Sequence, residues 1–392
     1  MILNKSIKTF INDDEFVIPV DFNRSFNDKT MASLRGIGIK TIIGYSWWHE
    51  SEEKQGCYNF EKIEEYLSLV KKNDLKILLF NKVGSPFWIP QNWFFKSQTG
   101  NYNDKMFVDG EYKEIIPKDD KAKDDHFNLY YQTFRYPSYW CQEASQASEN
   151  YLEEMGEALN NPNVFFICST GISNEMYLPS GTPEIYWYDD HAILNYQEFL
   201  RTRYKGNIDK YNFINSESYK SFEDASPRLK EENACIDEIE WFHSIILERL
   251  IKELGILQKY NPTNEQFTSL CLVAGRLTDL AITSGLSDPM TLMTYVQNKL
   301  KLEKLSNIKW EMMPDRIGIW DKFETIWQTR KYNIDSWCGA GGPDNIIKST
   351  SRAIAMKQRG LVYGVWNYSG NIKELKLDNI KESLKLWREY YG

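Results

Sequence analysis

No stretch of this 392-residue chain approaches the ~20 consecutive apolar residues that a bilayer-crossing helix needs. The first ten residues are mixed and polar, without a basic segment followed by an apolar one, so no secretory leader is read there. No basic patch offsets the net charge of -8, and an acidic surface repels phosphate backbones. Neither nucleic acid nor a membrane is expected as a partner. The six cysteines, Cys57, Cys141, Cys168, Cys235, Cys271 and Cys338, are scattered and form no C-x-x-C pair. Two readings stand for them: reduced, mostly buried thiols of a cytoplasmic protein, which is the expectation, or disulfides of a secreted one. Glycine-rich phosphate loops, H-E-x-x-H and G-x-S-x-G are all missing. So are internal repeats, low-complexity tracts and Pro/Gly/Ser linkers. The length suits one large domain or two ordinary ones, and the missing linker favours a single domain over 1–392.

What is abundant is aromatic side chains, 15% of the residues, with 13 Trp. Part of that surplus serves packing. The rest can stack on flat apolar ligand faces, such as those of sugar rings.

Strand-like and helix-like patterns alternate along the chain, which argues for a parallel α/β architecture. Strands are expected at 16–22, 39–48, 75–83, 164–169, 267–274, 308–313, 317–326 and 361–368. Helices are expected at 29–36, at 60–70 behind an Asn59 cap, and at 143–159, 236–260 and 346–359. Eight strands with helices between most of them predict a (β/α)8 TIM barrel with long βα loops near 84–135 and 176–233.

Chemistry in such a barrel sits at the C-terminal strand ends. Asn174-Glu175 follows the expected fourth strand. Cleaving a glycosidic bond takes two carboxylates, one of them protonated to discharge the leaving oxygen. Glu175 suits that acid, with Asn174 holding a sugar hydroxyl; the alternative is a surface loop. Trp47, Trp48, Trp88, Trp327, Trp337 and Trp366 lie near strand ends as sugar platforms or as packing residues, and Asp21 can bind hydroxyls. His49 and Glu50 follow the second strand and read as structural.

Several segments share one resemblance. They are WWHESEEKQGCYNF at 47–60, SPFWIP at 85–90, the run 139–175, FLRTRYKGNIDKYN at 199–212 and the region 222–262. Through most of its length the chain resembles the catalytic domain of glycoside hydrolase family 42, which holds many bacterial β-galactosidases. The resemblance implies a retaining hydrolase of β-linked glycosides, with Glu175 as acid/base, Asn174 as its partner and no cofactor. In that family a second carboxylate ends the seventh strand. Counting back from Gly341-Gly342-Pro343 and the strand after it puts Glu324, in WDKFETIW, in the nucleophile slot, with Glu311, in IKWEMMPD, as the alternative.

Two departures stand out. Many family members hold zinc through cysteines clustered after the Asn-Glu strand, whereas 186–191 reads YWYDDH. No metal site is therefore expected; an Asp-Asp-His site is the alternative to a solvated loop. The chain also stops soon after the expected eighth strand. An oligomer is possible but not indicated. Two rivals to the retaining hydrolase remain, an inverting β-amylase-like glycosidase and a catalytically silent glycan-binding barrel. In each case the partner is a carbohydrate.

Overall fold

The computed structural model describes residues 16–20, 26–108, 111–113, 135, 137–168, 186–228, 236–262, 266–269, 308–312, 335–340, 344–358, 360–364 and 369–391. Its strands are β1 (Phe16–Val20), β2 (Thr41–Trp47), β3 (Lys76–Val83), β4 (Met106–Val108), β5 (Glu111–Lys113), β6 (Val164–Cys168), β7 (Gln266–Ser269), β8 (Ile308–Met312), β9 (Asp335–Ala340) and β10 (Gly360–Gly364). All but the β4–β5 hairpin form one closed barrel in the order β1-β10-β9-β8-β7-β6-β3-β2. Every neighbouring pair in the ring is parallel, and β1 joins both β10 and β2.

The ring follows from strands that are apolar on both faces. In β2 and β6 every residue is buried, as expected when helices cover one side of a sheet and side chains fill the other. Ile42, Ile77, Leu79, Val164 and Phe166 pack in one cluster with helical Leu34, Ile63, Val70, Tyr151 and Met155. Their alternating neighbours Ile43, Tyr45, Leu78, Phe80, Phe165 and Ile167 are equally buried but stand outside that cluster. They fill the barrel interior, where Tyr45 stacks on Phe80 at 5.0 Å.

The helices are α1 (Asp28–Gly36), α2 (Trp48–Ser51), α3 (Glu61–Lys72), α4 (Gln142–Ala158), α5 (Asp190–Arg203), α6 (Ile208–Asn215), α7 (Ile236–Leu257), α8 (Ile346–Ala355) and α9 (Leu377–Tyr391). Side chains start several of them. Asn27 caps α1 by accepting from Thr30 N at 3.0 Å, and Asp189 and Asn207 cap α5 and α6 in the same way. Helix α3 carries Glu61 and Glu64 in its first turn and Lys71 and Lys72 in its last, complementing its dipole. Phe60 rather than Asn59 is its N-cap residue, and Asn59 Oδ1 accepts from Glu61 N at 2.9 Å. Helix α4 meets the end of α7 closely: a Cβ on Gly156 would stand 2.2 Å from Tyr260 Cδ2.

One expected strand is displaced. The seventh strand of the ring is β9, at Asp335–Ala340; the expected strand 317–326 lies outside the described residues. β9 pairs with β8 at Met312↔Cys338 and with β10 at Gly360↔Trp337. Its sequence DSWCGA lacks the β-branched run by which strands are recognised, so pairing on both sides, not local pattern, defines it. The described parts of the two expected excursions carry regular structure. The first contains the β4–β5 hairpin, and the second contains α5 and α6. Among the described residues no helix is long and apolar enough to cross a membrane.

Candidate active site

The C-terminal strand ends gather at one mouth. Trp47 ends β2 there, 2% exposed, with its ring 5.9 Å from Tyr45 and edge-on to His49 at 5.8 Å. A cavity of about 450 Å³ opens beside it, lined by Trp47, Glu50, Ser51, Glu53, Lys54 and Cys57 among others. Glu50 and Lys62, which both line this cavity, stand 3.6 Å apart. Trp88 serves the loop: its Nε1 donates to Glu52 O at 3.1 Å and its ring meets Trp93 edge-on at 6.1 Å. Trp48 is a core residue that stacks on Tyr151 at 5.4 Å and donates from Nε1 to Glu52 Oε2 at 2.6 Å.

Glu52 was not anticipated. It is 1% exposed, accepts also from Gly56 N at 2.8 Å, and so closes the turn after α2. Burial raises its pKa, partly offset by the two donors. Gly84 leaves β3 with φ +73°, and a Cβ there would stand 2.5 Å from His49 Nδ1. Glycine is thus required where the third strand's exit crosses the second's.

Below the mouth lies a polar cluster that the sequence reading missed. β2 and β3 run in step to Tyr45↔Phe80, then pair at Trp47↔Val83, so β3 carries one residue more across this interval. Asn81 and Lys82 occupy the break. Lys82 Nζ bonds Ser148 Oγ of α4 at 2.8 Å and pairs with Glu253 of α7, both ends of the pair being nearly inaccessible. Cys168, the last residue of β6, donates from Sγ to Glu253 Oε2 at 3.7 Å. Burial, then the Glu253 charge, pushes this thiol well above its ordinary pKa. Burial likewise raises Glu253, opposed by Lys82. Asn81 is 0% exposed, and among the described residues neither of its amide atoms has a partner. The signal was available: Asn-Lys follows the apolar run Ile77–Phe80 within the strand KILLFNKV.

The excursions beyond the mouth are tied down. Arg135 donates from Nε to Asp104 O at 3.0 Å and lies over Phe87 and Phe94 at 4.9 and 5.1 Å, with burial lowering its pKa to about 10. Tyr188 N donates to Lys96 O at 2.9 Å, linking the two excursions. The stretch 186–191 is not a solvated loop. Asp189 is 1% exposed, accepts from Ser138 Oγ and Ala192 N at 3.0 Å, and starts α5. His191 does not join the two aspartates but Cys141 and Glu143, whose ligand atoms and its own lie within 4.8 Å of one another. Among the described residues Cys57, Cys141 and Cys168 form no disulfide.

Of the expected site residues, Trp47 and Trp88 are described, and only Trp47 lines the cavity. Asp21, Asn174, Glu175, Glu324, Trp327 and Trp366 lie outside the described residues. Asp21 follows Val20 at the end of β1, and Glu175 follows Cys168, the end of β6, by seven residues. Glu324 falls between β8 and β9, so it does not close the seventh strand. Glu311 is the fourth residue of β8, level with Ser269 of β7 and Trp337 of β9.

No family model matches the sequence, and no curated protein matches it. Solved structures do share its fold. The catalytic domain of β-amylase from Paenibacillus polymyxa aligns with TM-score 0.70 and 14% identity, over 97% of this chain and 99% of that one. β-Galactosidase from the psychrophilic Marinomonas ef1 aligns with TM-score 0.63 and 12% identity, over 95% of this chain. That from Bacillus circulans sp. alkalophilus aligns with TM-score 0.64 and 10% identity, over 96%. The chain spans 59% and 56% of those two galactosidases. At such identities the likeness is one of fold.

Proposed function

We propose that the chain is a glycoside hydrolase of the (β/α)8 class, which cleaves a β-linked glycoside with net retention. The observation that carries this reading is the closed parallel ring whose fourth strand ends at Cys168, just before Asn174-Glu175. Its likeness in fold to two β-galactosidases and a β-amylase supports it. Glu175 protonates the departing oxygen and then takes a proton from the attacking water. Asn174 and Asp21 hold sugar hydroxyls, and Trp47, Trp327 and Trp366 offer ring faces. Trp88, engaged with Glu52 and Trp93, contributes through the loop it braces.

Glu311 is the nucleophile in this reading. It sits near the C-terminal end of β8, the sixth strand of the ring, one strand removed from β6 across β7, and so, like Glu324, does not end the seventh strand that the resemblance implies. Glu324 was favoured by counting back to the strand before α8, but that strand is β9. It is kept as the alternative that the same experiment decides. No cofactor is needed for the two displacements.

The full-length match to a β-amylase catalytic domain favours a second reading, an inverting enzyme whose second carboxylate activates water. Retention places the two carboxyls ~5 Å apart and inversion ~6.5–9.5 Å apart. A panel of nitrophenyl glycosides, followed by NMR of the first-formed anomer, decides between them. A first product with the substrate's configuration supports retention. The opposite anomer transfers the assignment to the inverting reading, and inactivity across the panel with saturable glycan binding supports a silent barrel.

A further inference from the structure

We infer that Cys141, Glu143 and His191 form a binding site for one zinc-class divalent cation that ties the start of α4 to the start of α5. The three side chains come from different parts of the chain. Cys141 is the N-cap residue of α4 and Glu143 lies in its first turn, while His191 lies in the first turn of α5. Their ligand atoms all lie within 4.8 Å of one another.

The spacing suits a tetrahedral ion. With Zn–S of about 2.3 Å and Zn–O of about 2.0 Å, tetrahedral S and O ligands stand about 3.5 Å apart. Cys141 Sγ and Glu143 Oε2 are 3.5 Å apart. The imidazole needs only a modest side-chain adjustment to take a third vertex. Water fills the fourth, since Glu143 is exposed and His191 half-exposed. A thiolate, an imidazole and a carboxylate together select zinc over magnesium or calcium, which want oxygen alone.

A second observation points to the same place. Asp189, two residues before His191, has one oxygen engaged by Ser138 Oγ and Ala192 N. Its other oxygen, Oδ2, is buried and has no partner among the described residues. A buried carboxylate beside a ligating histidine is the usual outer partner that holds the second imidazole N–H. On binding, Cys141 gives up its thiol proton to solvent and its hydrogen bond to Glu143 is replaced by two bonds to the ion. The clamp joins the segment entering α4 to the segment entering α5, which follows Asn174-Glu175 in the chain. The ligand set differs from the cysteine cluster that the sequence resemblance implies, and the site stands whether or not the chain hydrolyses glycosides.

The test uses the full, tag-free chain stripped with a chelator and retitrated with zinc chloride or cobalt chloride. We expect one zinc per chain by elemental analysis and a rise in Tm on adding zinc. Cobalt should give a thiolate-to-metal charge-transfer band that is lost in Cys141→Ser and kept in Glu143→Gln. His191→Ala, at a half-exposed position, should fold and weaken zinc binding at least about tenfold. Failure of the stripped chain to bind one equivalent overturns the proposal. So does unchanged affinity in His191→Ala, which would leave Cys141 and Glu143 a plain hydrogen-bonded pair at a helix start.

Discussion

Lys82 and Glu253, 171 residues apart in sequence, form an ion pair shut off from solvent, with Ser148 and Cys168 completing the shell. The pair joins the exit of β3, the end of β6, α4 and α7 in one polar knot behind the barrel mouth. Removing one partner strands a buried charge, which costs about 3–5 kcal/mol. Lys82→Met should lower the urea-unfolding free energy by that amount. Lys82→Met with Glu253→Leu should recover most of it, because no charge is then stranded. If the single variant loses less than about 1 kcal/mol, the knot is not a stabilising brace.

Catalysis tests the carboxylates directly. Glu175→Gln should cut turnover of an unactivated glycoside by a factor of about 10²–10⁴ and harm substrates with activated leaving groups less. Equal activity of variant and parent on an unactivated glycoside removes Glu175 from the acid/base role.

Azide distinguishes Glu311 from Glu324. Removing a retaining nucleophile opens space for a small anion to attack the anomeric carbon, giving a glycosyl azide of inverted configuration. Glu311→Gly should be nearly inactive and rescued by azide, and Glu324→Gly should be neither. The reverse pattern restores Glu324, and rescue of neither variant moves the inverting mechanism ahead.

Gly156→Ala sets two effects against each other. In a helix the change ordinarily gains about 1 kcal/mol. Here the added Cβ would stand 2.2 Å from Cδ2 and 2.5 Å from Cε2 of Tyr260, so the ring must move. Overpacking of this kind costs about 1–3 kcal/mol, and the net effect should be a loss of stability by urea unfolding. A stabilised variant would show that the end of α7 is free to shift.

Glu52 gives a pH dependence of defined sign. Burial raises its pKa in the folded chain above the ordinary carboxylate value. Its contribution to stability is therefore complete below the unfolded value of ~4.3 and is lost as pH rises through the raised folded one. The stability of the parent relative to Glu52→Gln should fall over that interval and be flat above it. Urea unfolding at a series of pH values measures the difference. A difference that grows with pH would mean that the bonds from Trp48 and Gly56 outweigh burial.

The sequence by itself determined the alternation of strands and helices and the place of most of them. Runs such as TIIGYSW and VFFIC are apolar on both faces, and only a strand enclosed between two packed layers requires that. The register break in β3, at Asn81-Lys82, was carried by a polar pair in that strand but was not read from it. Tertiary structure decided what depends on pairing at a distance. DSWCGA became the seventh strand because β8 and β10 leave one slot between them, and local propensity says nothing about such a slot. That placement takes Glu324 off the end of the seventh strand. The Lys82–Glu253 pair and the meeting of Cys141 with His191 likewise arise from helices that the closed ring brings side by side, far apart in the chain and without a shared motif.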